Sequence, residues 1–282
     1  MKKRRDEIGD DEIRIIGGDA DVRASHDKRR YLYIVIGICV ALCLVWVCYR
    51  MHHTPTDEPS FFEMEADGLS VAAHPLGTQV DSLSRGYTET FDQTVNNIPL
   101  RIHIPHNASM TLHVGPLNKR DADIIYAAQA ADVRADNFKI IGDFVQQGRS
   151  LSRGVSKQGF CAVVDGQITI GVADDTPLLR QAIEQRGYFF RQYPLVAGGE
   201  LVENEPKGIS YRRALCYRAN RENPAGEMLV VECLSLESLH DFAQALVDID
   251  VTDAIYLVGG KSYGWTIDAT GTRREFGTEV RE

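Results

Sequence analysis

The chain has 282 residues, with 31 Lys and Arg against 40 Asp and Glu, and a net charge of −9. Hydrophobic residues make up 44% and charged residues 25%, which excludes wholesale disorder, a collagen-like repeat and a small disulfide scaffold. The acidic balance excludes a broad nucleic-acid surface, and a mean hydropathy of −0.22 excludes a chain of many membrane spans but not of one.

The first feature in chain order is the run Tyr31 to Tyr49, YLYIVIGICVALCLVWVCY, which carries no charged residue, Asn, Gln, Pro or His. As a helix it would reach roughly 28 Å, close to the hydrocarbon thickness of a bilayer. Tyr31, Tyr33, Trp46 and Tyr49 stand near its ends, where amphipathic rings favour the interface. Lys28, Arg29 and Arg30 precede it and Arg50 alone follows, so the positive-inside rule places the N-terminus in the cytoplasm. No A-x-A site follows the run, which is read as an uncleaved signal anchor. The expected organisation is a cytoplasmic tail over 1–30, a transmembrane anchor over 31–50, a stalk over 51–85 and one exported domain over 86–282. Residues 51–282 hold 21 basic and 32 acidic residues, so the acidic excess belongs to the part expected to be periplasmic or extracellular. Of the six cysteines, Cys161, Cys216 and Cys233 lie in that part. An odd number without C-x-x-C leaves a disulfide open and gives a structural zinc site no support.

Beyond the stalk, Leu100, Ile102 and Ile104 alternate with Arg101 and His103, the pattern of a half-buried strand. A second run, Met110, Leu112 and Val114, alternates with Thr111 and His113. The two are expected to form a hairpin with His103 and His113 on its polar face, solvated, since no third His or carboxylate lies at a ligand-like spacing. Asn107-Ala108-Ser109 matches a glycosylation sequon. Three helices are expected. The first is Ala-rich, over Asn118–Val133. The second opens at Asp175-Thr176-Pro177, a polar cap followed by proline, and stops at Gly187. The third begins at Ser235, where Leu236, Leu239, Phe242, Ala243, Leu246 and Val247 form one apolar stripe. Strands fill the gaps: Phe160–Val164 and Gln167–Val172 joined by Asp165-Gly166, Tyr188–Val196, Met228–Cys233 and Ala254–Val258. Hairpins and helices interleave without a regular βαβ repeat. The expected class is therefore α+β, a single exported domain of mixed sheet with about three helices, preceded by one transmembrane helix.

The chemistry concentrates near the C-terminus. The strand AIYLV runs into Gly259-Gly260-Lys261-Ser262. Two glycines at a strand end allow close approach to backbone N–H groups, Lys261 adds a positive charge and Ser262 a hydroxyl. The stretch is not a phosphate-binding P-loop, because no glycine stands five residues before Gly260, where that motif needs one. On these grounds alone a ligand loop and a tight turn are equally good readings.

The arrangement resembles the phosphodiester glycosidase domain family. Leu257-Val258-Gly259-Gly260-Lys261-Ser262 is similar to that family's L-D-G-G-G-S-like run. In order along the chain, Ile141-Gly142-Asp143-Phe144 resembles its N-G-G-F-like turn and GFCAVVDG (159–166) the strand and turn after it. Arg191-Gln192-Tyr193-Pro194-Leu195-Val196 resembles its Q-S-G-P-L-V-like strand, and Arg212–Cys216 its R-x-A-[IV]-G strand. The resemblance spans roughly residues 95–277. It implies a membrane-anchored exported protein that cleaves or recognises sugar-1-phosphodiesters of envelope or extracellular glycans, with no cofactor, no metal and no nucleic-acid partner. It assigns Arg213, Gln192, Gly259, Gly260, Lys261 and Ser262 to substrate binding and Asp143 to acid/base chemistry. Asp143 and Asp268 are the carboxylates nearest the matching motifs, and read without the resemblance both belong to turns or surface. Four positions depart from the family: Val258 replaces its Asp, Ile141 its Asn, Lys261 its third Gly and Cys216 a Gly. Loss of a carboxylate at Val258 removes a group that glycoside hydrolysis needs, so the alternative is an inactive glycan-binding or scaffold module of the same fold.

Overall fold

In the computed structural model the described residues are 76–77, 80–81, 83–219, 226–260 and 262–277, together with Gly37, Cys39, Leu42 and Cys43. The last four are helical, while the rest of the apolar run 31–50, like the tail and most of the stalk, lies outside the described residues. Among the described residues, no helix is long and apolar enough to cross a membrane.

Three antiparallel sheets build the domain, so the expected α+β class, with mixed sheet, about three helices and a leading transmembrane helix, is corrected to a mostly β fold. The strands are β1 (Leu76–Gly77), β2 (Tyr87–Val95), β3 (Ile98–His106), β4 (Tyr126–Ala127), β5 (Phe144–Gln146), β6 (Arg149–Ser152), β7 (Gly159–Val164) and β8 (Gln167–Val172). They continue with β9 (Tyr188–Gln192), β10 (Pro194–Ala197), β11 (Glu200–Leu201), β12 (Arg213–Arg218), β13 (Glu227–Cys233), β14 (Val251–Leu257), β15 (Gly264–Ile267) and β16 (Arg273–Phe276). Two helices are described after the apolar run, α1 (Pro177–Glu184) and α2 (Leu239–Val247). A six-stranded sheet in the order β1-β8-β7-β9-β5-β6 faces a seven-stranded sheet in the order β11-β10-β14-β12-β13-β3-β2, and β16-β15-β4 form a third.

The period of two in the strands explains the layers. Cys161, Val163 and Phe190 of the first sheet meet Leu215, Val230 and Ile255 of the second in a shared core. The alternate residues Phe160, Ala162 and Phe189 turn outward to pack on Ala182 of α1. On the other side, Ala214, Cys216, Leu229 and Val231 pack on Leu239, Phe242 and Leu246 of α2. Central strands buried on both faces read as continuous apolar runs, which is why GFCAVV and EMLVVEC lack clean alternation.

Both helix caps follow their chemistry. Thr176 accepts from the Leu178 N–H, with Pro177 opening α1, and Ser238 accepts from Asp241 N–H. The third helix therefore starts after Ser238, not at Ser235, and Leu236 stays exposed. The Ala-rich helix expected over Asn118–Val133 does not form. The side-chain oxygens of Asn118 and Asp121 accept from Arg120 and Asp123 N–H, and such local turns compete directly with helix. The expected hairpin between 100–104 and 110–114 is also replaced: β3 pairs with β2 in register across Asn96-Asn97, both at positive φ. His103 is consequently buried, while His113 is exposed. Asn107 spends its side chain on its neighbours: it accepts from Asp81 N–H and donates to the Asp81 and Ser84 carbonyls.

Candidate functional site

The residues singled out in the sequence gather at two places, both set by where strands leave the sheets. The run Tyr188–Val196 is not one strand. Its first part, β9, pairs with β7 and β5 in the first sheet, and its second part, β10, pairs with β14 in the second. Gln192 and Tyr193 sit at the crossing, where Pro194 interrupts the ladder.

At that crossing Gln192 is fully buried. Its Oε1 accepts from Lys157 Nζ at 2.6 Å and from Tyr193 N–H at 3.1 Å, while its buried Nε2 has no hydrogen-bond partner. Lys157 is buried too, ion-paired with Asp132 and 4.3 Å above the Tyr193 ring. Burial pushes the Lys157 ammonium below its ordinary value, and the Asp132 charge and hydrogen bond oppose that shift. Asp132 is the more open partner, its side chain 34% exposed.

Asp143 lies behind this cluster and is not free. Its Oδ2 accepts from Arg191 Nε at 2.7 Å and its Oδ1 from Gly154 N–H at 3.0 Å. Arg191, with 1% of its side chain exposed, donates onward to the Ala173 and Asp174 carbonyls, each at 2.7 Å. Asp143 therefore orients a buried guanidinium that ties three loops together. The arrangement shows a brace, with both carboxylate oxygens spoken for.

The second place is the loop after β14. Arg213 is buried and spends its guanidinium on Glu232 at 3.0 and 3.2 Å, the Val258 carbonyl at 3.0 Å and Ser262 Oγ at 2.9 Å. Phe276 covers it, ring centre 4.5 Å away. The other Glu232 oxygen lies 3.3 Å from His103 Nε2, and His103 Nδ1 lies 2.9 Å from Thr90 Oγ1. Burial by itself would raise the Glu232 pKa, but the His103 hydrogen bond and the Arg213 charge together hold it below its ordinary 4.5.

Gly259 and Gly260 differ. A Cβ on Gly259 would stand 2.4 Å from the Tyr211 carbonyl, so this glycine is required by the chain's own packing. Gly260 is at φ +66, and a Cβ there would meet only Ser210 Oγ, at an ordinary contact distance of 3.7 Å. Lys261 lies outside the described residues. The two places are joined through Tyr193 and Tyr256, whose rings meet edge to face at 6.4 Å, and the Tyr256 hydroxyl accepts from Gly259 N–H at 3.3 Å.

Sequence reasoning missed Lys157, Asp132 and Glu232, and it placed the buried His103 on a solvated strand face. Only Glu232 carried a signal, a carboxylate inside the apolar run VVECL. Cys161, Cys216 and Cys233 are all free thiols. Burial raises each of them, Cys233 to about 11. Among the described residues no group of three His, Cys, Asp or Glu is placed to hold a metal ion.

No family model and no curated protein sequence matches the chain. Among solved structures it overlaps with the catalytic domain of zebrafish N-acetylglucosamine-1-phosphodiester alpha-N-acetylglucosaminidase, auto-inhibited by its pro-peptide. That overlap has a TM-score of 0.48 at 12% identity, over 71% of this chain and 79% of that one. A hypothetical protein from Synechocystis overlaps with a TM-score of 0.40 at 13% identity, over 68% of this chain and 62% of the other. Both likenesses are distant and concern the fold alone.

Proposed function

We propose that the domain is a glycan-recognition module that binds sugar-1-phosphodiesters and does not hydrolyse them. The observation that carries this reading is the Lys157–Gln192 cluster at the strand crossing. It offers a buried ammonium, an amide with unspent donors and the half-buried Tyr193 ring, the mixture of polar donors and aromatic surface that sugar and phosphate oxygens require. Hydrolysis needs a carboxyl group free to give or take a proton. Asp143 is bonded at both oxygens, Glu232 is bonded at both oxygens, and position 258 is valine.

The test is calorimetric titration of the full chain with methyl N-acetylglucosamine-1-phosphate diester, alongside an assay for released N-acetylglucosamine. Binding without release is expected, and Lys157→Met should weaken binding about tenfold or more, as loss of a charge-assisted hydrogen bond implies. Release of the sugar by the wild type, lost in Asp132→Asn, would instead make Asp132 the acid of a working enzyme. That second reading has one observation in its favour, the partial exposure of Asp132 beside a lysine whose charge burial disfavours.

A further inference from the structure

Strand β2 ends the seven-stranded sheet and runs nine residues in unbroken register with β3, from Tyr87 opposite His106 to Val95 opposite Ile98. Edge strands are ordinarily short, bulged, or guarded by Lys or Pro, because their outer N–H and C=O groups are a template for another strand. The other edges among the described strands follow that rule. β1, β4 and β11 have two residues each, β6 carries Arg149, and β16 carries Arg273 and Arg274. β2 has no Lys, Arg, Pro or bulge, and its Thr and aromatic residues favour a strand. Its two carboxylates each have a partner on β3: Asp92 accepts from Arg101 at 2.8 and 2.9 Å, and Glu89 lies 3.1 Å from His106 Nε2.

The turn decides which backbone groups face outward. Asn96-Asn97 closes the hairpin with both residues at positive φ, so Val95 and Ile98 form a hydrogen-bonded pair, and Gln93, Phe91 and Glu89 also spend their backbone groups on β3. Thr94, Asp92, Thr90 and Thr88 point theirs away, and among the described residues no loop backbone bonds to them. Thr88 is buried, its Oγ1 donating to the Ile125 carbonyl at 2.9 Å. The open stretch is therefore Glu89–Thr94, half-buried at Thr90 and exposed elsewhere. A second β2, antiparallel about a two-fold axis, must set outward residues against outward residues. Two such registers oppose five open residues. Centring on Asp92 sets that carboxylate against itself, which is unfavourable. Centring on Phe91 sets Thr90 against Asp92 and Glu89 against Gln93, with no like charges opposed, and brings the exposed Phe91 ring onto its copy.

We propose that the domain self-associates as a two-fold dimer by antiparallel pairing of β2 with β2 of a second copy, centred on Phe91. Thr90 and Asp92 exchange backbone hydrogen bonds twice, by symmetry. So short an interface makes the dimer weak and concentration-dependent. None of Lys157, Asp132 and Gln192 lies on this edge, and the pairing does not depend on the glycan reading.

The test uses the full chain in detergent with Cys39, Cys43 and Cys48 changed to Ser; the remaining Cys161, Cys216 and Cys233 are buried. The two copies of position 91 form a non-hydrogen-bonded pair with Cα atoms about 4.5 Å apart, within disulfide reach. On mild oxidation Phe91→Cys is expected to give a covalent dimer at least about tenfold faster than Ser150→Cys, exposed on edge strand β6. Gln93→Lys gives each Glu89 an opposite charge across the axis and should tighten the dimer, read by sedimentation, about three- to thirtyfold, while Gln93→Glu should loosen it by a similar factor. At concentrations where the monomer dominates, both should melt with the parent, since Gln93 is exposed. Equal cross-linking at positions 91 and 150, the result expected if another segment of the chain covers β2, would overturn the proposal. So would one dissociation constant shared by Gln93→Lys and Gln93→Glu.

Discussion

Removing the Asp143 carboxylate should cost stability, and the size of that cost separates a brace from a catalyst. In Asp143→Ala the Arg191 guanidinium, 2% exposed, keeps its charge and loses its only carboxylate partner among the described residues. Breaking a buried pair from one side costs about 3–5 kcal/mol, because the surviving charge is uncompensated. Gly154 N–H loses its side-chain acceptor as well. For a domain of about 200 residues, where 1 kcal/mol moves the melting temperature by about 2–4 °C, the expected drop is roughly 6–20 °C. Asp143→Asn should fall between, since its one amide oxygen can serve Arg191 or Gly154 but not both. Urea unfolding with an unchanged slope would confirm that the loss lies in the folded state. A double-mutant cycle with Arg191→Met should give a coupling of about 2 kcal/mol or more. An Asp143→Ala protein within about 1 kcal/mol of wild type would refute the brace.

Three further outcomes follow from the same contacts. Glu232 has a folded pKa below its ordinary 4.5, so its contribution is present above that value and lost as pH falls through the lower folded value; stability measured against pH should fall less steeply below about 4.5 in Glu232→Gln. Lys157 is lowered as well, in its case by burial, its folded pKa lying below 10.5. The unfolded chain then holds more protons between the two values, stability rises with pH there, and Lys157→Met should abolish that rise in alkaline denaturation curves. Gly259→Ala should cost about 1–3 kcal/mol through its clash with the Tyr211 carbonyl, and a melting temperature equal to wild type would show that the loop yields.

What the sequence made legible was what short-range physics decides. Asp165-Gly166 turns the β7–β8 hairpin with both residues at positive φ, as a two-residue turn between right-twisted strands demands. Thr176-Pro177 starts α1 where the cap chemistry predicts. Asn96-Asn97 is an equally local signal, with φ of 50 and 64, but the hairpin expected between 100–104 and 110–114 put the turn at the wrong end of β3. Alanine content over 118–133 suggested helix because propensity sums ignore the Asx turns that start at Asn118 and Asp121. The burial of His103 was not legible, since it depends on Tyr126 and Phe276 of the third sheet closing over it. The split of Tyr188–Val196 between two sheets was hidden for a related reason: both halves are mostly buried, and only Pro194 marks the crossing.

The site residues were the least legible because their chemistry is spent on one another. Asp143 with Arg191, Glu232 with Arg213 and Asp132 with Lys157 form three pairs, each joining segments distant in sequence. Motif reading assigns such residues to a substrate because it sees one member at a time. Once each charge has its partner, the residues that resemble a hydrolase's machinery are accounted for by the cost of leaving a buried ion alone, and a catalytic role is no longer needed to explain them. Gln192 Nε2 is then left beside Lys157, buried and without a hydrogen-bond partner. A neutral donor recognises an acceptor by position and moves no proton at ordinary pH, which is what the proposed recognition module asks of it.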